Sequence, residues 1–375
     1  MKVSNLYIYP VKSLRGIALS QSEFTRLGFP FDRRFMLYKV NRDDAGIKYV
    51  KMQVSQFPEM CLFHTDIEHP DENDPWGKLF VTYSGIKPNS GRETIEVPLI
   101  PETGRLEVLK DMDLHHSPTN VHNMGEHYNK WFSKCFDFEV LFVYLGANRR
   151  KVLFPEANNT QENKSWMSTI TSYLPSFGYD KIEKNLTFSD VAPYLIVSKT
   201  SLRDVSGRLP DGEDMDITKF RPNVIVEGAD EEWEEDYWSE ITIGDVKLHL
   251  IHNCARCSSI NIDYDTGKPG TGESGTILKK LMKDRRVDPG TKWSPIFGRY
   301  GFLDPASEGQ IVTVGDEATI TNRNEERSIF GELPDSNIIE ITNRELSLAR
   351  YIDYLSYQIG DASSGTQNEH SMQLQ

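Results

Sequence analysis

Short β-type segments follow one another along most of this chain without the regular helices that a parallel sheet would require. In the first 110 residues, stretches 6–9, 35–40, 48–54 and 79–83 are rich in Val, Ile, Tyr and Phe and are separated by Gly, Pro, Asn and Asp clusters. That spacing predicts a small barrel or sandwich. A helix is predicted over 123–135, where His127, Trp131 and Phe132 stand near helical spacing, with a strand over 140–145 behind it. A polar connector spans 155–185, and from residue 186 β-type segments resume at 194–197, 224–226, 241–243, 246–251 and 260–262. Short helices are predicted at 201–209 and 275–283, and segment 310–314 with Gly315-Asp316 closes the region. Runs of strands without β–α alternation exclude a doubly wound parallel sheet. The expected fold class is mostly β (α+β), an N-terminal β-barrel domain packed on a second β-barrel domain with a few helices. Its expected divisions are 1–135 and 136–320, then an extension over 321–360 with a strand pair and a helix at 344–357. Residues 361–375 have the composition of a disordered tail.

Charge narrows the partners. A formal net charge of -14 disfavours nucleic acid and anionic membranes, which would repel the chain. No stretch approaches the roughly 20 apolar residues of a membrane helix, and the first residues lack the basic-then-apolar layout of a secretory signal. Cys61, Cys135, Cys254 and Cys257 are too few for a disulfide scaffold in 375 residues, so a reducing compartment is expected. No cysteine follows Cys257, and an iron–sulfur domain needing about four thiolates is therefore not expected at the C-terminal end.

The densest reactive cluster is His249-Leu-Ile-His252-Asn-Cys254-Ala255-Arg256-Cys257. Zinc takes such ligands, but a structural zinc site draws on a second knuckle that this sequence does not offer. His249 also falls in a strand that alternates it with Leu248 and Leu250. A thioredoxin-like Cys-x-x-Cys needs a helix start after a strand, and polar β-type sequence follows here. A single thiolate at Cys257, favoured by the neighbouring Arg256, would suit a soft transition metal. Two small buried residues at a strand end are the slightly simpler account of the segment taken alone. Gly270-Thr-Gly272-Glu-Ser-Gly275 spells a dinucleotide fingerprint without the preceding strand, and it reads as a flexible loop. His115, His116, His122 and His127 read as solvated, and so does the acidic run 230–236.

Two other segments have a chemical logic. Tyr9-Pro-Val-Lys12-Ser13 ends a strand and exposes an ammonium beside a hydroxyl, while Arg33 in Phe31-Asp-Arg33-Arg-Phe35 precedes the next strand. Lys12, Ser13 and Arg33 together suit a dianionic phosphate, although surface cations are the simpler account of each alone. Arg221 and Asn223 in Phe-Arg-Pro-Asn share one side of a strand, placed either to read a polar heterocycle edge or to pin a loop.

Taken in order, the motifs resemble one family. Y-P-V-K-S and F-D-R-x-F-M are followed by F-x-D-x-x-P-Y-L-I-V-S at 188–198, F-R-P-N at 220–223, E-D-x-W at 235–238 and I-G-D at 243–245. C-x-R-C at 254–257, D-x-D-T-G at 263–267, F-G at 297–298 and V-G-D at 314–316 complete the set. This order is similar to that of the mitochondrial amidoxime-reducing component and its bacterial relatives, which carry a MOSC domain (molybdenum cofactor sulfurase C-terminal) behind an N-terminal β-barrel. The resemblance covers about residues 1–320. It implies a molybdenum–molybdopterin cofactor whose metal is held by Cys257, with the phosphate on Lys12, Ser13 and Arg33. It further implies pterin contacts from Arg221, Asn223, Ala255 and Arg256, and a backbone approach at Val191 and Ala192. The implied activity is reduction of N-hydroxylated compounds such as amidoximes and hydroxylamines, with electrons from a separate donor such as cytochrome b5 and its reductase. A cofactor carrier or sulfur-handling module is the alternative, and the pyridoxal-phosphate domain of the sulfurases has no room here. Eight residues before Tyr9 leave no space for the family's membrane anchor, so the cytoplasm is expected, with the mitochondrion as the alternative.

Overall fold

The strand Val246–Ala255 shows how local sequence sets the architecture. Val246, Leu248 and Leu250 are buried and alternate with the more exposed Lys247 and His249. It pairs antiparallel with Ile296–Leu303, and the register slips twice, between Leu250 and His252 and between Asn253 and Ala255. Those bulges end the alternation, so that Ile251 through Cys254 are buried in succession and the strand end is re-aimed. His249, on the outer side, meets a carboxylate oxygen of Asp304 at 2.9 Å.

The computed structural model describes residues 1–44, 46–85, 93–152 and 185–330. The connector before residue 185, the helix predicted at 344–357 and the tail lie outside them. Met1–Pro334 form one compact unit. Its largest sheet has eight strands in the order Ile17–Leu19, Lys2–Ile8, Val224–Glu227, Tyr194–Ser198, Ile296–Leu303, Val246–Ala255, Trp238–Ile243 and Ala318–Arg323. The sheet curls until its two ends meet: Val3 N–H donates to Asp316 O at 2.9 Å and Ala318 N–H to Met1 O at 2.9 Å. Tyr194–Ser198 and Val224–Glu227 run parallel, which the helix Lys199–Gly207 between them permits. Ser198 caps that helix by accepting from Thr200 N–H at 3.2 Å.

A five-stranded sheet, in the order Gly46–Lys51, Phe35–Asp43, Val140–Tyr144, Thr119–Asn123 and Val108–Met112, and a three-stranded one of Phe63–Glu68, Lys78–Tyr83 and Glu93–Pro98 form the other body. The helix Glu126–Phe136 packs Phe132 and Phe136 against Phe63 and Phe142. The two bodies share chain. Lys2–Ile8 pairs within the eight-stranded sheet, whereas Val140–Tyr144, beyond residue 135, pairs with Phe35–Asp43. Ile262 and Tyr264 likewise join the apolar core around Phe63.

Two expectations are corrected here. The acidic run is solvated only in its first half: Asp230, Glu231 and Glu232 are exposed, whereas Glu235 and Asp236 are fully buried. Asp236 accepts from Arg285 with both oxygens at 2.8 Å and from Arg327 at 2.9 Å, and Glu235 accepts from Ser201 Oγ at 2.6 Å. These partners lie 34 to 91 residues away, too far for a run of like charges to reveal them. The loop 270–275 is tight: a Cβ on Gly275 would lie 1.9 Å from Gly270 O, so glycine there serves backbone approach.

Candidate cofactor site

Tyr9-Pro-Val-Lys12-Ser13 and Phe31-Asp-Arg33-Arg-Phe35 lie side by side. Arg33 N–H donates to Tyr9 O at 2.8 Å, Lys12 N–H to Phe35 O at 2.8 Å, and Tyr9 N–H to a carboxylate oxygen of Asp32 at 2.7 Å. The segment after residue 186 closes on both. Phe188 N–H donates to Arg33 O at 2.9 Å, and the Lys12 ammonium donates to Phe188 O at 2.9 Å. Lys12 is 5% exposed and its ammonium also touches the Asp190 carboxylate. Burial pulls the Lys12 ammonium down to about 8, with Asp190 opposing the shift. Desolvation would raise the Asp190 carboxyl, yet Lys12 and His115 hold it well below the usual carboxylate range.

Arg33 connects this corner to the next. Its guanidinium reaches Asp32, Asn223 Oδ1 at 3.2 Å and Arg221 O at 3.1 Å. The Asn223 amide is filled on both sides. It donates to Tyr7 O and to Asp32 at 3.2 Å each, and accepts from Leu195 N–H and Arg33. Asn223 therefore pins the segments and has no edge left for a heterocycle. Arg221 stacks over the Tyr9 ring at 4.2 Å and donates to Leu14 O at 2.6 Å. Its second terminal nitrogen is buried with no hydrogen-bond partner among the described residues.

The cysteine arm is tied in through Arg256, whose guanidinium donates to Phe220 O at 2.8 Å and to Phe297 O at 2.9 Å. It serves these carbonyls, not the Cys257 sulfur. Ala255 and Cys257 are half-buried at the strand end, and Cys257 Sγ lies 3.2 Å from Ser259 Oγ. Cys254 is 3% exposed and its sulfur faces Tyr300 Oη at 3.1 Å, with burial raising its thiol pKa. Among the described residues no three His, Cys, Asp or Glu side chains converge in a metal-holding group, which leaves a zinc site short of ligands. Val191 and Ala192 follow Asp190, and Ala192 packs in a small apolar cluster with Ile251 and Phe302.

His115 was expected in solvent. It is instead buried at the site, 3.0 Å from the Asp190 carboxylate, and burial pulls its imidazole down to about 3, so it is neutral. Arg150, also missed, is buried and donates to Ser189 O at 2.7 Å and Leu114 O at 3.0 Å. Nine non-glycine residues have left-handed backbone among the described residues, and five of them stand here: Ser13, Phe31, Arg33, His115 and Arg221. Such conformations persist only where the surroundings hold them, and they gather at functional sites.

The family described as the MOSC N-terminal beta barrel domain matches residues 1–139, and the MOSC domain matches residues 183–319. Human "Mitochondrial amidoxime-reducing component 1" is 37% identical over 84% of this chain and 81% of its own length. The chain belongs to the amidoxime-reducing component family. Rat "Mitochondrial amidoxime reducing component 2" is 26% identical over 80% of this chain and 78% of its own. Human "Molybdenum cofactor sulfurase" is 25% identical over 76% of this chain but 29% of its own length. The mostly-β fold, with its curled sheet and its N-terminal body, agrees with an N-terminal MOSC barrel domain followed by a MOSC domain. No described helix of this family member is long and apolar enough to cross a membrane.

Proposed function

We propose that this chain binds a molybdenum–molybdopterin cofactor and reduces N-hydroxylated compounds with electrons from a separate donor such as cytochrome b5 and its reductase. The observation that carries the reading is the convergence of Lys12, Arg33 and Arg221, drawn from distant segments of an acidic chain onto one corner beside the Cys257 arm. The residues fit the group. The orphaned Arg221 nitrogen and the buried, unpartnered hydroxyls of Thr187 and Ser189 call for polar partners that the described protein does not provide. Lys12, Ser13 and Arg33 would hold the phosphate, and Cys257 would supply the soft thiolate ligand. Arg221 and the backbone at Val191, Ala192 and Ala255 would contact the pterin, whereas Asn223 and Arg256 act by holding those segments in place. Bound there, the molybdenum supplies two-electron reduction, in which N–OH plus two electrons and two protons gives N–H and water. Named mitochondrial relatives support a mitochondrial location over the cytoplasmic one expected from sequence, and cell fractionation tests it.

Protein made in a cofactor-competent host should contain about one molybdenum per chain. Cys257→Ala should abolish amidoxime reduction and lose the metal. Cys254→Ala should keep most activity and cost about 1–2 kcal/mol of stability, because the Tyr300 contact, a longer one to Ala255 O and some packing go. Equal damage from the two substitutions would sink the assignment. A carrier or sulfur-handling module remains the second reading, favoured by the sulfurase match. Such a module would hold molybdenum and show no turnover with a chemical reductant.

A further inference from the structure

We propose that the exposed basic face running from the helix Ile277–Leu281 to Trp293 docks the acidic redox protein that delivers the electrons. The proposal rests on the reductase reading above and adds the place where the donor sits. Within a chain of net charge -14, residues 277–293 hold six basic side chains against two acidic ones. Both acids are neutralised or withdrawn: Asp284 is gripped by Arg208 at 2.6 and 2.8 Å, and Asp288 is buried. Arg285 is buried on Asp236, and Lys280 is bound to Glu273. Lys279, Lys283, Arg286 and Lys292 are left exposed, without an ion pair among the described residues. Trp293, 54% exposed, stands among them with the Lys292 ammonium 5.1 Å from its ring. An aromatic anchor within a charged rim is the composition of a protein interface.

The position of this face ties it to the site. Its helix packs on the turn Ser258–Asn261, which begins directly after Cys257: Leu278 N–H donates to Asn261 Oδ1 at 2.9 Å, and Ile277 and Leu281 share an apolar cluster with Ile260. At the other end, Arg256 N–H donates to Pro295 O at 2.9 Å, two residues from Trp293. The segment that carries this face is therefore anchored to the chain on both sides of Cys257. Electron transfer slows steeply with distance, so a donor must dock beside the reacting centre. An acidic donor is repelled by most of this surface and attracted here, which steers it to the place where its electrons are needed.

The test uses the molybdenum-loaded full chain and two donors, cytochrome b5 with its reductase and a reduced viologen. Reversing the face in Lys279→Glu/Lys283→Glu and in Arg286→Glu/Lys292→Glu should raise the KM for cytochrome b5 about tenfold or more. It should leave viologen turnover and molybdenum content unchanged. Added salt should raise the wild-type KM and change that of the variants much less, and Trp293→Ala should raise the KM alone. An unchanged KM overturns the proposal. Equal loss with both donors also overturns it, because the face would then act on the site itself. Wild-type activity with viologen but none with cytochrome b5 overturns it too and leaves the reductase reading standing. Inactivity of the loaded wild type with either donor overturns the reductase reading, and the proposal with it.

Discussion

Lys12 is a cation held almost out of water, and its charge is the condition for gripping an anion. Because burial pulls its ammonium to about 8, it is mostly charged at pH 7 and loses the charge as pH rises past that value. Two consequences have opposite signs. The unfolded chain keeps the Lys12 proton up to about 10.5, so the fold gains stability from this residue between roughly pH 8 and 10.5. Affinity for a phosphate-bearing ligand falls over the same interval, approaching tenfold per pH unit. Pterin retained after dialysis should therefore be constant from pH 6.5 to 7.5 and decline by pH 9.5, and Lys12→Arg, charged throughout, should flatten the profile. A flat wild-type profile would remove Lys12 from the anchor. Residue types made Lys12, Ser13 and Arg33 candidates for a phosphate, but only the family resemblance favoured that reading over ordinary surface cations. His115, Asp190 and Arg150 were hidden, because their roles come from burial against partners 36 to 75 residues away.

At the scale of elements, the strand pair Val246–Ala255 and Ile296–Leu303 sets the direction of the Cys257 arm. Gly298 lies there at φ +85, and a Cβ on it would meet Val197 Cγ1 at 2.7 Å, Ile196 O at 2.9 Å and the Arg256 guanidinium at 3.3 Å. Gly298→Ala should cost roughly 1–3 kcal/mol in backbone strain alone and should lower molybdenum content by displacing Arg256. Gly301→Ala, on the same strand, meets only the flexible ends of Leu250 and Ile196 within 3.4 Å and should cost less. Urea midpoints of the two variants check the order, and equal midpoints would refute the role given to Gly298. The strands themselves were legible, from 35–40 inside Phe35–Asp43 to 246–251 inside Val246–Ala255. Their bulges were not, since a register slip depends on the partner strand and leaves no periodic trace in either sequence. Likewise 260–262 was read as a strand, and Ser258–Asn261 is a 3₁₀ turn that helix Ile277–Leu281 packs against.

For the whole molecule, two barrels were foreseen, but their exchange of strands was not. The hydrophobic pattern of 2–8 says that it is a strand and cannot say to which sheet it belongs. With chain shared in both directions, the two bodies should unfold together. Urea transitions followed at Trp131, in the core around Phe63, and at Trp238, buried in the eight-stranded sheet, should coincide. Two separated midpoints would show independent domains. The position of Lys2–Ile8 also dictates a timetable on the ribosome. This strand is made first, but its inner neighbour Val224–Glu227 follows more than two hundred residues later, and Ala318–Arg323 later still. At about 5–20 residues per second, the nascent segment waits roughly 10–45 s with an unpaired apolar edge. During that interval its apolar side chains stay open to aggregation, and slow translation of the second half would lengthen the exposure.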